Sequence, residues 1–414
     1  MSKAAFFRQS GWLMVANVTG GMMMWGVHFF SKKIPDAEYS AFGALLSMTM
    51  VIPALPLQMV FAQQTAAALA TDRRAELARM IRVGWGTVFL VWLVAAGVVG
   101  IFRHEIAARW GLSNPAGLWV VLLVWLACAW TPMFWGVVQG RQDFPCLGWS
   151  MILSGVGRLG GTALIVLVLG GLATGIMTAA AIGYGLALAL AIWSTRDLWT
   201  GRGRSFDGRG LLRQVVPLML GFGAFQFLFS SDTMFVKAWF PEDHTASYVA
   251  AGTLSRALMW FVLPLAAVMF PKIVHSTARA EKTDLLAVTL LGTGVLALGG
   301  AAGLCVLAPW VVPFVFKASW AGEATRLIPW YAGAMVPLAM ANVLLNNLLA
   351  RGRFAVTPWL VGLALAYPVA LSRFHGSYEA VLRTLGIFCV MMLALCAWFT
   401  WGGKVRSPKP EAPR

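Results

Sequence analysis

The stretch AEYSAFGALLSMTMVIPALPLQMVF (Ala37–Phe61) has an echo in the second half of the chain, ASYVAAGTLSRALMWFVLPLAAVMF (Ala246–Phe270). The two align without a gap, and seven of 25 positions are identical: Ala37/Ala246, Tyr39/Tyr248, Ala41/Ala250, Gly43/Gly252, Leu45/Leu254, Met50/Met259 and Phe61/Phe270. Each copy is a continuous apolar run, not an alternation of apolar and polar residues. It therefore reads as a membrane-spanning helix, not a strand.

Working outward, such runs recur along the whole chain. Of the 414 residues, 59% are hydrophobic and only 12% charged, against about 25% charged in a soluble domain. The fold class is an all-α polytopic membrane protein of about twelve transmembrane helices. The predicted spans are 9–30, 40–63, 83–102, 117–138, 146–169, 173–193, 213–236, 246–270, 285–307, 326–350, 355–372 and 384–402. PWVVPFVF (309–316) is too short to cross and reads as a cap on the ninth helix. The N-terminal run is read as a retained first helix. The five cysteines lack metal-type spacing and read as buried apolar residues.

The net charge of +16 is explained by topology better than by nucleic acid. With the N-terminus inside, inner loops and tails hold 21 Lys/Arg and outer ones nine, leaving Arg158 and Arg256 within spans. That is the positive-inside asymmetry, and it puts both termini in the cytoplasm. The basic inner face meets anionic membrane lipid, and the tail KVRSPKPEAPR reads as disordered.

Further matches extend the repeat. Arg8-Gln9 with Leu13-Met14 matches Arg213-Gln214 with Leu218-Met219, and Gly140-Arg141 matches Gly352-Arg353. The expected organisation is two parallel six-helix lobes, 1–195 and 213–403, joined by a basic cytoplasmic linker, 196–212, and followed by the tail 404–414. Parallel repeats of this kind hold substrate between the lobes and alternate its access by rocking.

Polar groups at bilayer depth are the candidate site. Arg158 lies about 18 Å from the cytoplasmic end of its helix, on a stripe Ser150, Ser154, Arg158, Thr162. No acidic residue in the first six spans neutralises it, which favours an external anion held by the guanidinium fork. The competing reading is an arginine bonded to carbonyls of a neighbouring helix. Asp232 and Arg256, on adjacent helices at compatible depths, read either as a structural ion pair or as a proton-linked switch. Gln226, Ser230, Thr233 and Lys237 form a second stripe, with Lys237 open to snorkelling. Asn17, His28, Asn342, Asn346 and Asn347 are candidates for sugar hydroxyls, each with an ordinary helix–helix hydrogen bond as the alternative.

Three segments carry a resemblance: PDAEYSAFGALLS (Pro35–Ser47), GVVQGRQDF (Gly136–Phe144) and DTMFVKAWFPEDHTASYVAAGTLSRA (Asp232–Ala257). The chain resembles the bacterial oligosaccharide flippases. They form the polysaccharide-transporter branch of the superfamily that also holds the multidrug and toxin extruders, and the similarity runs from about residue 8 to 400. It implies translocation of undecaprenyl-diphosphate-linked oligosaccharide across the inner membrane. It also implies membrane lipids and polysaccharide polymerase machinery as partners, and no cofactor. The family's cationic cavity falls here on Arg158, Arg256 and Lys237.

Two other readings stay open at this stage. One is a cation-coupled multidrug extruder, which needs acidic groups in its cavity. The other is a membrane glycosyltransferase, polymerase or ligase using Asp36 and Glu38 of PDAEY as an acidic pair. There is no Gly-rich phosphate loop and no zinc-type helix motif, so no catalytic or metal residue is expected.

Overall fold

The computed structural model describes residues 3–241, 245–259 and 285–402. It is helical throughout. The elements are α1 (Lys3–Gly26), a 3₁₀ segment Val27–Lys33, α2 (Asp36–Met50), α3 (Ala54–Ala70), α4 (Arg74–Arg109), α5 (Ala116–Gly140), α6 (Phe144–Leu167), α7 (Ala173–Ser194) and α8 (Arg196–Trp199). There follow α9 (Gly208–Ser230), α10 (Asp232–Trp239), α11 (245–259 as described), α12 (Leu285–Val315), α13 (Ala321–Ala350), α14 (Thr357–Arg373) and α15 (Tyr378–Ala397). Among the described residues, eleven helical stretches are long and apolar enough to cross a membrane. The remaining predicted span, 246–270, lies partly outside the described residues, and the tail, 404–414, lies wholly outside them.

Several elements depart from the sequence reading. The second span is broken at Val51–Pro53, because Pro53 and Pro56 have no N–H to give and a residue before proline is pushed out of the helical region. The seventh breaks at Ser231. The ninth does not end before PWVVPFVF: Pro309 and Pro313 lie within one continuous helix, α12. Helix α4 has 36 residues, about 54 Å at 1.5 Å each. It overruns a hydrocarbon core of about 30 Å and carries its basic first turns beyond it.

Helices of the first half pack mainly on each other, α6 against α7 and α1, and α5 against α3 and α7. In the second half α13 packs on α12 and α15, and α14 on α9. The halves meet where α2 and α3 touch α9 and α10. The repeat-related helices α2 and α11 also meet there, since a Cβ on Gly43 would lie 2.8 Å from a Val249 methyl. The peripheral helices carry large exposed apolar side chains, such as Val94 (70% exposed) on α4 and Leu291 (70%) on α12. Apolar surface of this extent suits lipid, not water.

Helix ends are closed by recognisable means. Asp143 accepts a hydrogen bond from Cys146 N (3.2 Å) at the start of α6, and Asp207 accepts one from Gly210 N (3.0 Å) at the start of α9. Glu38 reaches from α2 to the N-terminus of α7, where Ala173 N donates to Oε2 at 2.9 Å. A carboxylate there satisfies an orphan N–H and the helix dipole. The linker is strapped to the first half: Arg82 donates to the Trp199 and Gly201 carbonyls (3.0 and 2.8 Å), and Arg141 pairs with Asp197 (2.7 Å).

Candidate functional site

A cavity of about 460 Å³ opens between the halves. Its wall takes residues from α1 and the 3₁₀ segment after it, α2, α3 and the break between them, α5, α6, α7, α9 and α11. Six of the eight predicted site residues stand on it: Asn17, His28, Ser154, Arg158, Gln226 and Arg256.

Arg158 is placed there by a close helix crossing. On α6, a Cβ at Gly157 would sit 2.7 Å from the Gly183 Cα of α7, and one at Gly155 would sit 2.8 Å from the Gly20 carbonyl of α1. The helix is therefore wedged between two neighbours at backbone contact, as small residues permit. The Arg158 side chain is 5% exposed and its Nε has no hydrogen-bond partner. Among the described residues no carboxylate pairs with it. The predicted stripe divides by role. Ser150 is consumed, accepting from Trp135 Nε1 (2.6 Å) and donating to the Ala187 carbonyl (2.9 Å). Thr162 is buried without a partner for its hydroxyl. Ser154 and Arg158 face the cavity.

Arg256 is differently placed. Its Nη2 lies 2.6 Å from Asp232 Oδ1 and 2.8 Å from Thr233 Oγ1, and its Nε donates to the Phe229 carbonyl at 2.8 Å. Asp232 is fully buried. Its second oxygen accepts the Tyr248 hydroxyl (2.7 Å) and a short hydrogen bond from Tyr331. The ion pair is therefore present, and its charge is balanced within the protein. Tyr331 escaped the sequence reading, being 99 residues away. Tyr248 stands out in the sequence only as a repeat position.

Gln226 lines the cavity, yet its Nε2 donates to the Met50 carbonyl (3.0 Å), which the break after α2 leaves free. The stripe to which it was assigned is interrupted at Ser231, where α9 gives way to α10. Lys237 is 2% exposed, so it does not snorkel, and it is not on the described cavity wall. Asn342 and Asn346 bond to each other and Asn347 accepts from Arg351; all three lie away from the cavity.

The PDAEY residues act as structure. Asp36 Oδ1 pairs with Lys317 Nζ (2.6 Å) and Oδ2 accepts from Trp320 Nε1 (2.8 Å), while Glu38 caps α7. The acidic pair is divided between two structural tasks and leaves no free couple for transferase chemistry. His28, just beyond the end of α1, shares a 2.9 Å hydrogen bond through Nδ1 with the Tyr39 hydroxyl.

No family model matches the sequence, and no curated protein matches it. Solved structures do. A multidrug resistance MATE family transporter of the MOP superfamily, in an inward-facing conformation, superposes with TM-score 0.70 at 12% identity, covering 94% of this chain and 97% of the other. The lipid II flippase MurJ, in an inward closed conformation, gives 0.67 at 12%, covering 96% and 88%. The eukaryotic MATE transporter AtDTX14 gives 0.68 at 12%, covering 95% and 96%. The chain shares the fold of these solved structures.

Proposed function

We propose that the chain is a flippase for undecaprenyl-diphosphate-linked oligosaccharide, working by alternating access between its two six-helix lobes in the bacterial inner membrane, with both termini cytoplasmic. Its fold is shared by proteins named as multidrug transporters and by one named as a lipid II flippase. Cavity charge therefore has to decide between cargoes. The observation that carries the reading is Arg158, a buried guanidinium on the cavity wall with no carboxylate beside it. Among the described residues, no Asp or Glu lines that cavity. Asp232, the one carboxylate that a cation-coupled extruder would recruit, is held by Arg256 and two tyrosines. An unpaired buried cation is costly, and a diphosphate supplies both compensating charge and oxygens for a planar fork.

In nanodiscs, wild type should bind farnesyl diphosphate at least tenfold more tightly than farnesol. Arg158→Ala should abolish that preference while remaining folded, and Arg158→Lys should restore part of it. Deletion in the native host should leave a lipid-linked glycan on the cytoplasmic face, uncorrected by Arg158→Ala. Equal affinity for the diphosphate in a well-folded Arg158→Ala would refute the assignment.

A further inference from the structure

At the end of the bundle that carries PDAEY, the two halves are fastened together. Lys317, from the second half, donates to Asp36 Oδ1 (2.6 Å) and to the Ile34 carbonyl (2.7 Å). Trp320 holds the other carboxylate oxygen of Asp36 (2.8 Å). In the opposite direction, Lys32 of the first half donates to the Pro313 and Phe314 carbonyls (3.0 and 2.8 Å) in the last turn of α12. A cation there meets carbonyls that the helix leaves unbonded and the negative end of its dipole. Phe29 meets Phe314 edge to face with ring centroids 5.7 Å apart. The lobes cannot part at this end without breaking these contacts. The Asp36–Lys317 pair is also partly open to solvent, with side chains 37% and 25% exposed, which keeps such a pair weak enough to open.

The latch is wired to the cavity. Tyr39 stacks on Trp320, ring centroids 5.1 Å apart and 29° between planes, and also touches Phe316. Its hydroxyl is bonded to His28, a residue of the cavity wall along with Arg158. A continuous side-chain path therefore runs from the cavity through His28, Tyr39 and Trp320 to Asp36 and Lys317. The repeat sharpens the point. Tyr248, the counterpart of Tyr39, bonds Asp232, which is itself fully buried and off the described cavity wall, and is reached from it only through Arg256. Of the two equivalent tyrosines, the first is the one bonded directly to a cavity residue and packed on a separable contact.

We propose that Tyr39 is a positioning residue that couples an anionic head group in the cavity to opening of the Asp36–Lys317–Trp320 latch. The proposal rests on the flippase reading for the identity of the ligand. A ligand oxygen that engages the His28 ring draws on the hydroxyl bond, and Tyr39 cannot follow without disturbing its stack on Trp320. Coupling of this kind has physical content only if both sites bias one two-state element, and the latch is that element.

The test uses the full chain in nanodiscs, with native cysteines replaced and spin labels at Lys33→Cys and Ser319→Cys, exposed positions on opposite sides of the latch. The probes are farnesyl diphosphate and farnesol. In wild type, the diphosphate should at least double the long-distance population and farnesol should not. Tyr39→Phe keeps the stack and removes the hydroxyl. It should bind the diphosphate within twofold of wild type, melt only a few degrees lower for the loss of one buried hydrogen bond, and show no change in label distance on binding. Trp320→Phe, which removes the hydrogen bond to Asp36 Oδ2 and leaves Lys317 alone to hold the carboxylate, should widen the distance without ligand. If wild type binds the diphosphate selectively but the latch does not move, or Tyr39→Phe responds as wild type does, the coupling proposal is wrong and the flippase reading survives. If wild type does not prefer the diphosphate to farnesol, the flippase reading fails and takes the coupling with it.

Discussion

Asp232 offers about four acceptor sites and has three donors aimed at it: Arg256, Tyr248 and Tyr331. Such a carboxylate is stable where it is only while the set is complete. Removing one partner of a buried pair costs about 3–5 kcal/mol, so Arg256→Gln and Asp232→Asn should each destabilise strongly. The double variant should lose clearly less than the sum, with a coupling of about 0.5–3 kcal/mol. Tyr331→Phe should cost about 1.5–3 kcal/mol, the range for a hydrogen bond to a charged group. Denaturant unfolding in one detergent measures all four, and strictly additive losses would show that the pair is not coupled. At this scale the sequence revealed the charges but not the network. Asp232 and Arg256 could be paired because depth along adjacent helices follows from residue counting. Tyr331 could not, because only the tertiary fold brings its hydroxyl from α13 to Asp232. His28 was legible as a polar residue at depth, whereas its bond to Tyr39 depends on the chain leaving the α-helix after Gly26.

The α6–α7 crossing is the element that sets the Arg158 position. A Cβ on Gly183 would meet the Arg158 amide nitrogen at 2.8 Å and crowd the Ser154 carbonyl still more closely. Both are backbone atoms and cannot turn aside, so the helices must separate. Gly183→Ala should therefore cost about 1–3 kcal/mol, as overpacking does, and should lower diphosphate binding at least tenfold by displacing Arg158. Gly185→Ala, with nothing within 4 Å of its added carbon, is the control and should behave as wild type. Normal binding in Gly183→Ala would mean that the crossing does not position the site. Long apolar helices were legible from length alone, since a span needs about 20 residues. Their interruptions were not. Proline broke the second span at Pro53 but did not end α12 at Pro309 or Pro313, and the outcome depends on neighbours that the local sequence does not name. The repeat shows the same limit. Gly140-Arg141 and Gly352-Arg353 match as letters, but the equivalent left-handed turn residues are Gln142 and Gly352, two positions out of step with the letter match.

For the molecule as a whole, the governing asymmetry is electrical. Basic residues crowd the end of the bundle that holds the linker, where Arg73, Arg74, Arg79 and Arg82 begin α4 and Arg196, Arg202, Arg204 and Arg209 run through the linker. The opposite end has few cations, and several of those are engaged: Lys32 and Lys317 in the latch and Arg326 with Glu379 (3.0 Å). Positive charge near span ends is retained on the cytoplasmic side, so the linker end should be internal and the latch end external. Single-cysteine labelling in intact cells tests this on a background without the native cysteines. Ser205→Cys in the linker and Asn114→Cys between α4 and α5 are both exposed, so neither is hidden by packing. An impermeant maleimide should label Asn114→Cys at once and Ser205→Cys only after the membrane is permeabilised. The reverse order would invert the molecule. The latch would then face the cytoplasm, and a lipid-linked glycan would have to leave through the end assigned to its entry, which an exporting flippase does not permit.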